Sequence, residues 1–189
     1  MTLKRSLLAL PMTLAGMPAL AHTGFHEASG FGAGFLHPFG GLDHALAMVA
    51  VGLFAALLGG RALWAIPASF VSMMLVGGAM GLTGVEVPAV EIGIVASVVV
   101  LGVILALGYR CLISVAMGLT GMFAVFHGYA HAVEIPAGAS AALYCLGFAA
   151  ASALLHGAGV ALGLALGHRP MIRVTGALIS VAGLVLTLS

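Results

Sequence analysis

The sequence predicts an all-α polytopic membrane protein, a bundle of six transmembrane helices behind a cleaved signal peptide. Three observations predict it. Of 189 residues, 62% are hydrophobic and only 6% are charged, where a soluble domain carries about 25% charged residues. Mean hydropathy is +1.25, which leaves too little polar surface to coat a water-soluble globule. The apolar residues gather into six long segments joined by short connections, and a span needs about 20 residues. The 28 glycines then read as close helix–helix packing within a membrane. A net charge of +1 suggests no nucleic-acid partner.

Residues 1–21 read as the signal peptide. Lys4 and Arg5 form a charged start, Ser6 to Ala15 a short apolar run, and Ala19-Leu20-Ala21 a small-x-small cleavage site. Pro11 and Pro18 make this stretch a poor span. The mature chain then begins at His22, and residues 22–189 form the six-span transmembrane domain. Residues 22–36 are a Gly-rich lead-in holding His22, His26 and Glu27. A free α-amine on His22 beside its imidazole, with His26 close by, suits loose capture of a metal outside. An ordinary surface loop is the alternative reading.

The first span runs from about Phe35 to Leu58, and the second from Leu63 to Leu82. The third runs from Val90 to Leu107 and the fourth from Leu112 to Ala132. The fifth, Ala137 to Leu166, is long enough to be tilted or broken near Gly157 and Gly159. The sixth runs from Met171 to Leu188. Short loops force sequential antiparallel neighbours. With His22 outside, Arg61, Arg110, His168, Arg169 and Arg173 all fall on the cytoplasmic side, as the positive-inside rule expects. Glu86 and Glu134 fall outside, and both mature termini face the periplasm. Cys111 and Cys145 then sit towards opposite sides, which disfavours a disulfide between them.

Topology gives each ionisable group a depth. His37-Pro38-Phe39-Gly40-Gly41-Leu42-Asp43-His44 lies in the outer half of the first span. Pro38 and Gly40-Gly41 are positioned to bend or unwind that span. Glu91 opens the third span at the same face. His127, His131 and Glu134, spaced i, i+4, i+7, form one stripe on the fourth. Three helices therefore bring imidazoles and carboxylates to one depth, which packing alone does not require. Ionisable groups inside a membrane ordinarily face a partner, an ion or water.

The chemistry that wants this set is divalent metal binding. Imidazole suits nickel, cobalt, zinc and copper, whereas carboxylates suit harder ions. A mixed His/Asp/Glu set without thiolate points to a borderline ion, Ni²⁺, Co²⁺ or Zn²⁺, rather than Cu(I). The ten methionines read as core filler. His156 reads as a hydrogen-bonded packing residue and His168 as a loop residue.

The octapeptide His-Pro-x-x-Gly-x-Asp-His, with the leader, the Gly-rich spans and the His-x-x-x-His-x-x-Glu of the fourth span, resembles the HupE/UreJ family over essentially the whole chain. The resemblance implies a nickel permease, or a cobalt-handling one, in a bacterial inner membrane. It further implies supply to a hydrogenase or urease through cytoplasmic metallochaperones. It carries the metal site onto His37, Asp43, His44, Glu91, His131 and Glu134, with Phe70 of the second span lining the same cavity or filling core. His127, one turn deeper than His131, is placed to pass the ion inward.

Three functions remain in competition on the residues themselves. The first is a secondary-type importer. No G-x-x-x-x-G-K-[ST] sequence is present, which excludes ATP hydrolysis by a P-loop in this chain. The second is an intramembrane metalloenzyme performing metal-assisted hydrolysis, disfavoured by the lack of His-Glu-x-x-His and of a nucleophile at the cluster. The third is a haem-binding electron carrier, disfavoured by the carboxylates at the same depth.

Overall fold

The computed structural model describes residues 30–167 and 169–186. The expected signal peptide (1–21), His22, His26 and His168 lie outside the described residues. Among the described residues all regular structure is helical. Helix α1 spans Gly30–Leu36, followed by a 3₁₀ turn at His37–Phe39. Then come α2 (Leu42–Leu58), α3 (Ala62–Leu82), α4 (Val90–Leu107), α5 (Ile113–Val133), α6 (Ala141–Leu166) and α7 (Arg169–Leu186).

Four helices, α3 to α6, are long and apolar enough to cross a membrane. The helical stretch Gly30–Phe39 and α2 together make a fifth, bent by 81°. The closing apolar helix, Pro170–Leu186, is shorter. The chain is thus a multi-pass helical membrane protein, and the first span expected from Phe35 to Leu58 is not continuous. The reason is local. Pro38 stands at the start of the 3₁₀ turn, where its missing N–H costs least. Gly40 closes that turn onto the His37 carbonyl at 2.9 Å. Gly41 is extended, with φ −112° and ψ 120°, so α2 begins afresh behind it.

The fifth span, expected to be tilted or broken near Gly157 and Gly159, is unbroken there: α6 is a single helix. At Gly159 the missing side chain serves packing instead. A Cβ there would strike the Val49 carbonyl of α2, and one on Gly52 of α2 would strike the His156 carbonyl of α6. The same reciprocal arrangement joins α3 and α5. A Cβ on Gly77 would fall on the Val125 carbonyl, and one on Gly128 on the Met74 carbonyl. In a bilayer, where lipid is as apolar as leucine, such backbone contact supplies much of the association energy.

Charge is segregated along the bundle. Asp43, Glu91, Glu86 and Glu134 lie at the start of α2, the start of α4 and the loops after α3 and α5, hence at one end. Arg61, Arg110 and Arg173 lie at the other. There Arg110 donates to the Leu58 carbonyl at 3.0 Å and Arg173 to the Ala106 carbonyl at 2.9 Å. These guanidinium groups satisfy carbonyls at the C-terminal ends of α2 and α4, where positive charge is favoured.

Because Gly128 sits against the α3 backbone, Gly128→Ala should force α3 and α5 apart. A destabilisation of about 1–3 kcal/mol is expected from overpacking, read as a lower midpoint in thermal unfolding of the detergent-purified protein. An unchanged midpoint would contradict the packing described.

Candidate metal centre

The acidic end holds an open cavity of about 610 Å³, whose walls include His37, Asp43, His44, Glu91, His131 and Glu134. The break after Phe39 is what brings His37 there. Its ring stands edge-on to that of His131, with centroids 4.6 Å apart. His37 Nε2–H donates to Glu134 Oε2 at 2.8 Å. Glu134 Oε2 also lies 4.0 Å from Nδ1 of His131. Each of His37, His131 and Glu134 can offer one ligand atom, and these atoms all lie within 4.8 Å of one another. Modest closure would let all three reach one ion.

His131 is the buried member, 3% exposed. Phe148 of α6 backs its ring at a centroid separation of 3.7 Å. Neither of its ring nitrogens has a hydrogen-bond partner among the described residues. A buried polar atom without a partner costs about 1–3 kcal/mol. A neutral imidazole always presents one bare lone pair, so this ring suits coordination to a cation entering the cavity.

Deeper in, two more histidines are held in defined tautomers. His44 donates Nδ1–H to Asp43 Oδ1 at 2.8 Å, and its backbone N–H reaches the same oxygen at 2.7 Å. In the neutral ring this leaves Nε2 of His44 as the lone-pair atom, and it is buried without a hydrogen-bond partner among the described residues. Ser97 of α4 donates its only hydroxyl proton to the Ile94 carbonyl at 2.6 Å. It lies 3.0 Å from Nε2 of His127, so that nitrogen must carry the proton. Nδ1 of His127 is then the lone-pair donor, again buried and unpartnered. Carboxylate or hydroxyl partners that fix a ring in this way are the usual outer shell of metal-binding histidines.

The four rings form a continuous series. From His131 the neighbouring centroid is His44 at 4.5 Å, and from His44 it is His127 at 4.9 Å. His37 stands at the open end and fully buried His127 at the inner end.

Two expected participants sit differently. Glu91 is exposed in the first turn of α4 and lines the cavity without joining the His37–His131–Glu134 group. A carboxylate there also favours the helix N-terminus. Phe70 does not line the open cavity. It is completely buried, with its ring centroid 5.7 Å from that of His127. His156, expected as a hydrogen-bonded packing residue, is fully buried with neither ring nitrogen partnered. Ser97 was not legible as a contributor, although a lone hydroxyl in the apolar run of α4 was the available signal.

Two comparisons with known proteins bear on this site. The HupE / UreJ protein family matches residues 10–186. Protein HupE of Rhizobium leguminosarum bv. viciae is 40% identical over 186 residues, covering 96% of this chain and 97% of that protein. No solved structure matches the chain.

Ser97→Ala removes the hydroxyl that fixes the His127 tautomer while keeping the fold of α4. Loss of such an outer-shell partner typically weakens metal affinity by about 10–100-fold. Isothermal titration of Ni²⁺ into the purified variant should show weakening of that order. Wild-type affinity would exclude a role for Ser97 in holding His127 as a ligand.

Proposed function

We propose that this chain, which belongs to the HupE/UreJ family, is a secondary-type permease that carries Ni²⁺, with Co²⁺ or Zn²⁺ as alternative cargo, into the cytoplasm. It resides in a bacterial inner membrane. The observation that carries this reading is the meeting of His37, His131 and Glu134, with ligand atoms all within 4.8 Å, at the wall of an open cavity. His37 comes from the broken first span and the other two from α5 and the residue that ends it. A resident structural ion is usually enclosed by four protein ligands. Three groups at an open cavity, followed by a series of buried imidazoles, suit an ion in passage.

The cavity is the periplasmic mouth in this reading. The signal peptide at 1–21 is cleaved, six spans follow, and both mature termini face the periplasm. Arg61, Arg110 and Arg173 then lie on the cytoplasmic side, in keeping with the positive-inside rule. His22 and His26 would present the ion to the mouth from outside.

An incoming hexahydrated ion is stripped in stages. Glu134 supplies charge at the mouth, and His37 and His131 supply nitrogen donors. Glu91 and Asp43 add negative potential across the cavity. His44 and then His127 present lone pairs already oriented by Asp43 and Ser97. The driving force needs no nucleotide. A divalent ion moving down an inside-negative potential gains about 4.6 kcal/mol per 100 mV, twice the single-charge value. Metallochaperones of hydrogenase or urease maturation would take the ion on the cytoplasmic side.

Radioactive nickel uptake into proteoliposomes, with an inside-negative potential imposed, tests this reading. Wild-type vesicles should accumulate the ion, and accumulation should collapse with the potential. His131→Ala and Glu134→Gln should each lower the initial rate by about tenfold or more, the scale of one lost charged or coordinating contact at about 1.4 kcal/mol per decade. Uptake at the wild-type rate in both variants would refute the assigned mouth.

A further inference from the structure

The His156 imidazole stands apart from the series of four rings, beyond Phe70. It lies on α6, about 22 Å from the Ala141 end and about 15 Å from the Leu166 end at 1.5 Å per residue. It is completely buried. Neither Nδ1 nor Nε2 has a hydrogen-bond partner among the described residues. A histidine kept only for packing would be expected to satisfy at least one nitrogen, because orphaned buried polar atoms are costly. A phenylalanine or leucine would fill the same space without that cost.

Its surroundings suggest what the lone pair serves. The Phe70 ring bridges it to the imidazole series: Phe70 lies 5.7 Å from His127 on one side and 4.9 Å from His156 on the other, centroid to centroid. Ser152, one turn earlier on α6 and so on the same face, is fully buried and donates its hydroxyl to Met74 Sδ at 3.6 Å. Met74 follows Phe70 by one turn on α3. Ser152 and Met74 therefore engage each other one turn towards the acidic end from the His156–Phe70 contact. From His156 to the basic end the two helices are parted by an open groove of about 590 Å³, walled by Leu63, Trp64 and Pro67 of α3 and by Val160 and Leu164 of α6.

We infer that His156 is a second, inner metal station, separated from the His37–His131–His44–His127 series by the Phe70 ring. The inference rests on the permease reading and adds to it a site beyond the mouth. The ligand class is a borderline divalent cation, Ni²⁺ or Co²⁺, which a neutral imidazole suits. Among the described residues no carboxylate lines this groove, so the ion is held weakly and transiently. A conducting site must be favourable enough to enter and weak enough to leave. The Phe70 ring must turn aside for the ion to pass, which keeps the outer series and the inner station from forming one open pore.

Two variants test it, His156→Leu and His156→Cys, in purified protein and in proteoliposomes. Ni²⁺ binding at the mouth, measured by titration, should stay within twofold of wild type in both. Nickel uptake should fall at least tenfold in His156→Leu. His156→Cys keeps a donor, so it should retain at least a third of wild-type uptake and become at least tenfold more sensitive to inhibition by Cd²⁺, which prefers thiolate. The inference is overturned if His156→Leu transports within twofold of wild type. It is equally overturned if the Cd²⁺ sensitivity of His156→Cys is unchanged. Failure of the permease reading has a different signature: wild-type vesicles take up no nickel, or Glu134→Gln leaves both binding and uptake intact.

Discussion

Glycine-mediated backbone contact is the constraint on which the rest of the bundle depends. Gly128 lies between His127 and His131 in sequence and sits against the Met74 carbonyl of α3, while Gly77 of α3 sits against the Val125 carbonyl of α5. The stretch of α5 that leads into both histidines is therefore pressed against the α3 backbone at two points. Neither ring can shift along the bundle without breaking that contact. Gly52 of α2 and Gly159 of α6 do the same for the pair that carries His44 and His156. Water offers no hydrophobic force between helices inside lipid, so close packing must supply the rigidity. A ligand set spread over separate helices keeps its geometry only if the interhelical distances are held this tightly.

Electrostatics then acts on a frame already set. The acidic residues stand at one end of the bundle and the described arginines at the other. Each carboxylate at the cavity has work beyond charge. Asp43 orients His44, Glu134 accepts from His37, and Glu91 sits where the α4 N-terminus favours a negative group. Arg110 and Arg173 close the C-terminal ends of α2 and α4. The 81° bend after Phe39 completes the site from a direction that a straight span could not reach. Pro38 and the Gly40-Gly41 pair make that bend inexpensive, and it turns His37 towards His131 and Glu134.

Much of this was legible in the residues before the fold was known. Hydropathy located α3 to α6 to within a few residues, because a lipid-facing helix must be apolar along its whole length. The i, i+4, i+7 stripe of His127, His131 and Glu134 declared one helical face, and the octapeptide declared a second wall. Pro38 with two glycines announced a distortion, though not its size. What escaped is instructive. Gly157 and Gly159 read as a place where the span could tilt or break, yet Gly159 serves packing and Gly157 faces open space, since a glycine's missing side chain serves either use and only the neighbour decides. Ser97 was invisible because its role depends on a contact with His127, thirty positions away in sequence. His156 reads as a hydrogen-bonded packing residue, and only its three-dimensional surroundings show both ring nitrogens without a partner among the described residues.

The distribution of donors along the bundle bears on how an ion could be moved rather than merely held. Among the described residues the carboxylates stand at the acidic end of the bundle, and Asp43, Glu91 and Glu134 line the cavity. Beyond His44 the donors are neutral: His127, then His156 across the Phe70 ring. A divalent ion is strongly attracted at the mouth and progressively less so inward, because desolvation rises while the compensating negative charge disappears. On the permease reading this gradient would trap the ion at the cavity if nothing opposed it. The membrane potential acts in the opposite sense and grows with depth, contributing most where the ligands are weakest. A chain with strong ligands throughout would be a store for the metal. One with strong ligands at the mouth and neutral ones within requires an imposed potential to empty it, and an orientation-fixed series of imidazoles offers the ion a donor at each step of that descent.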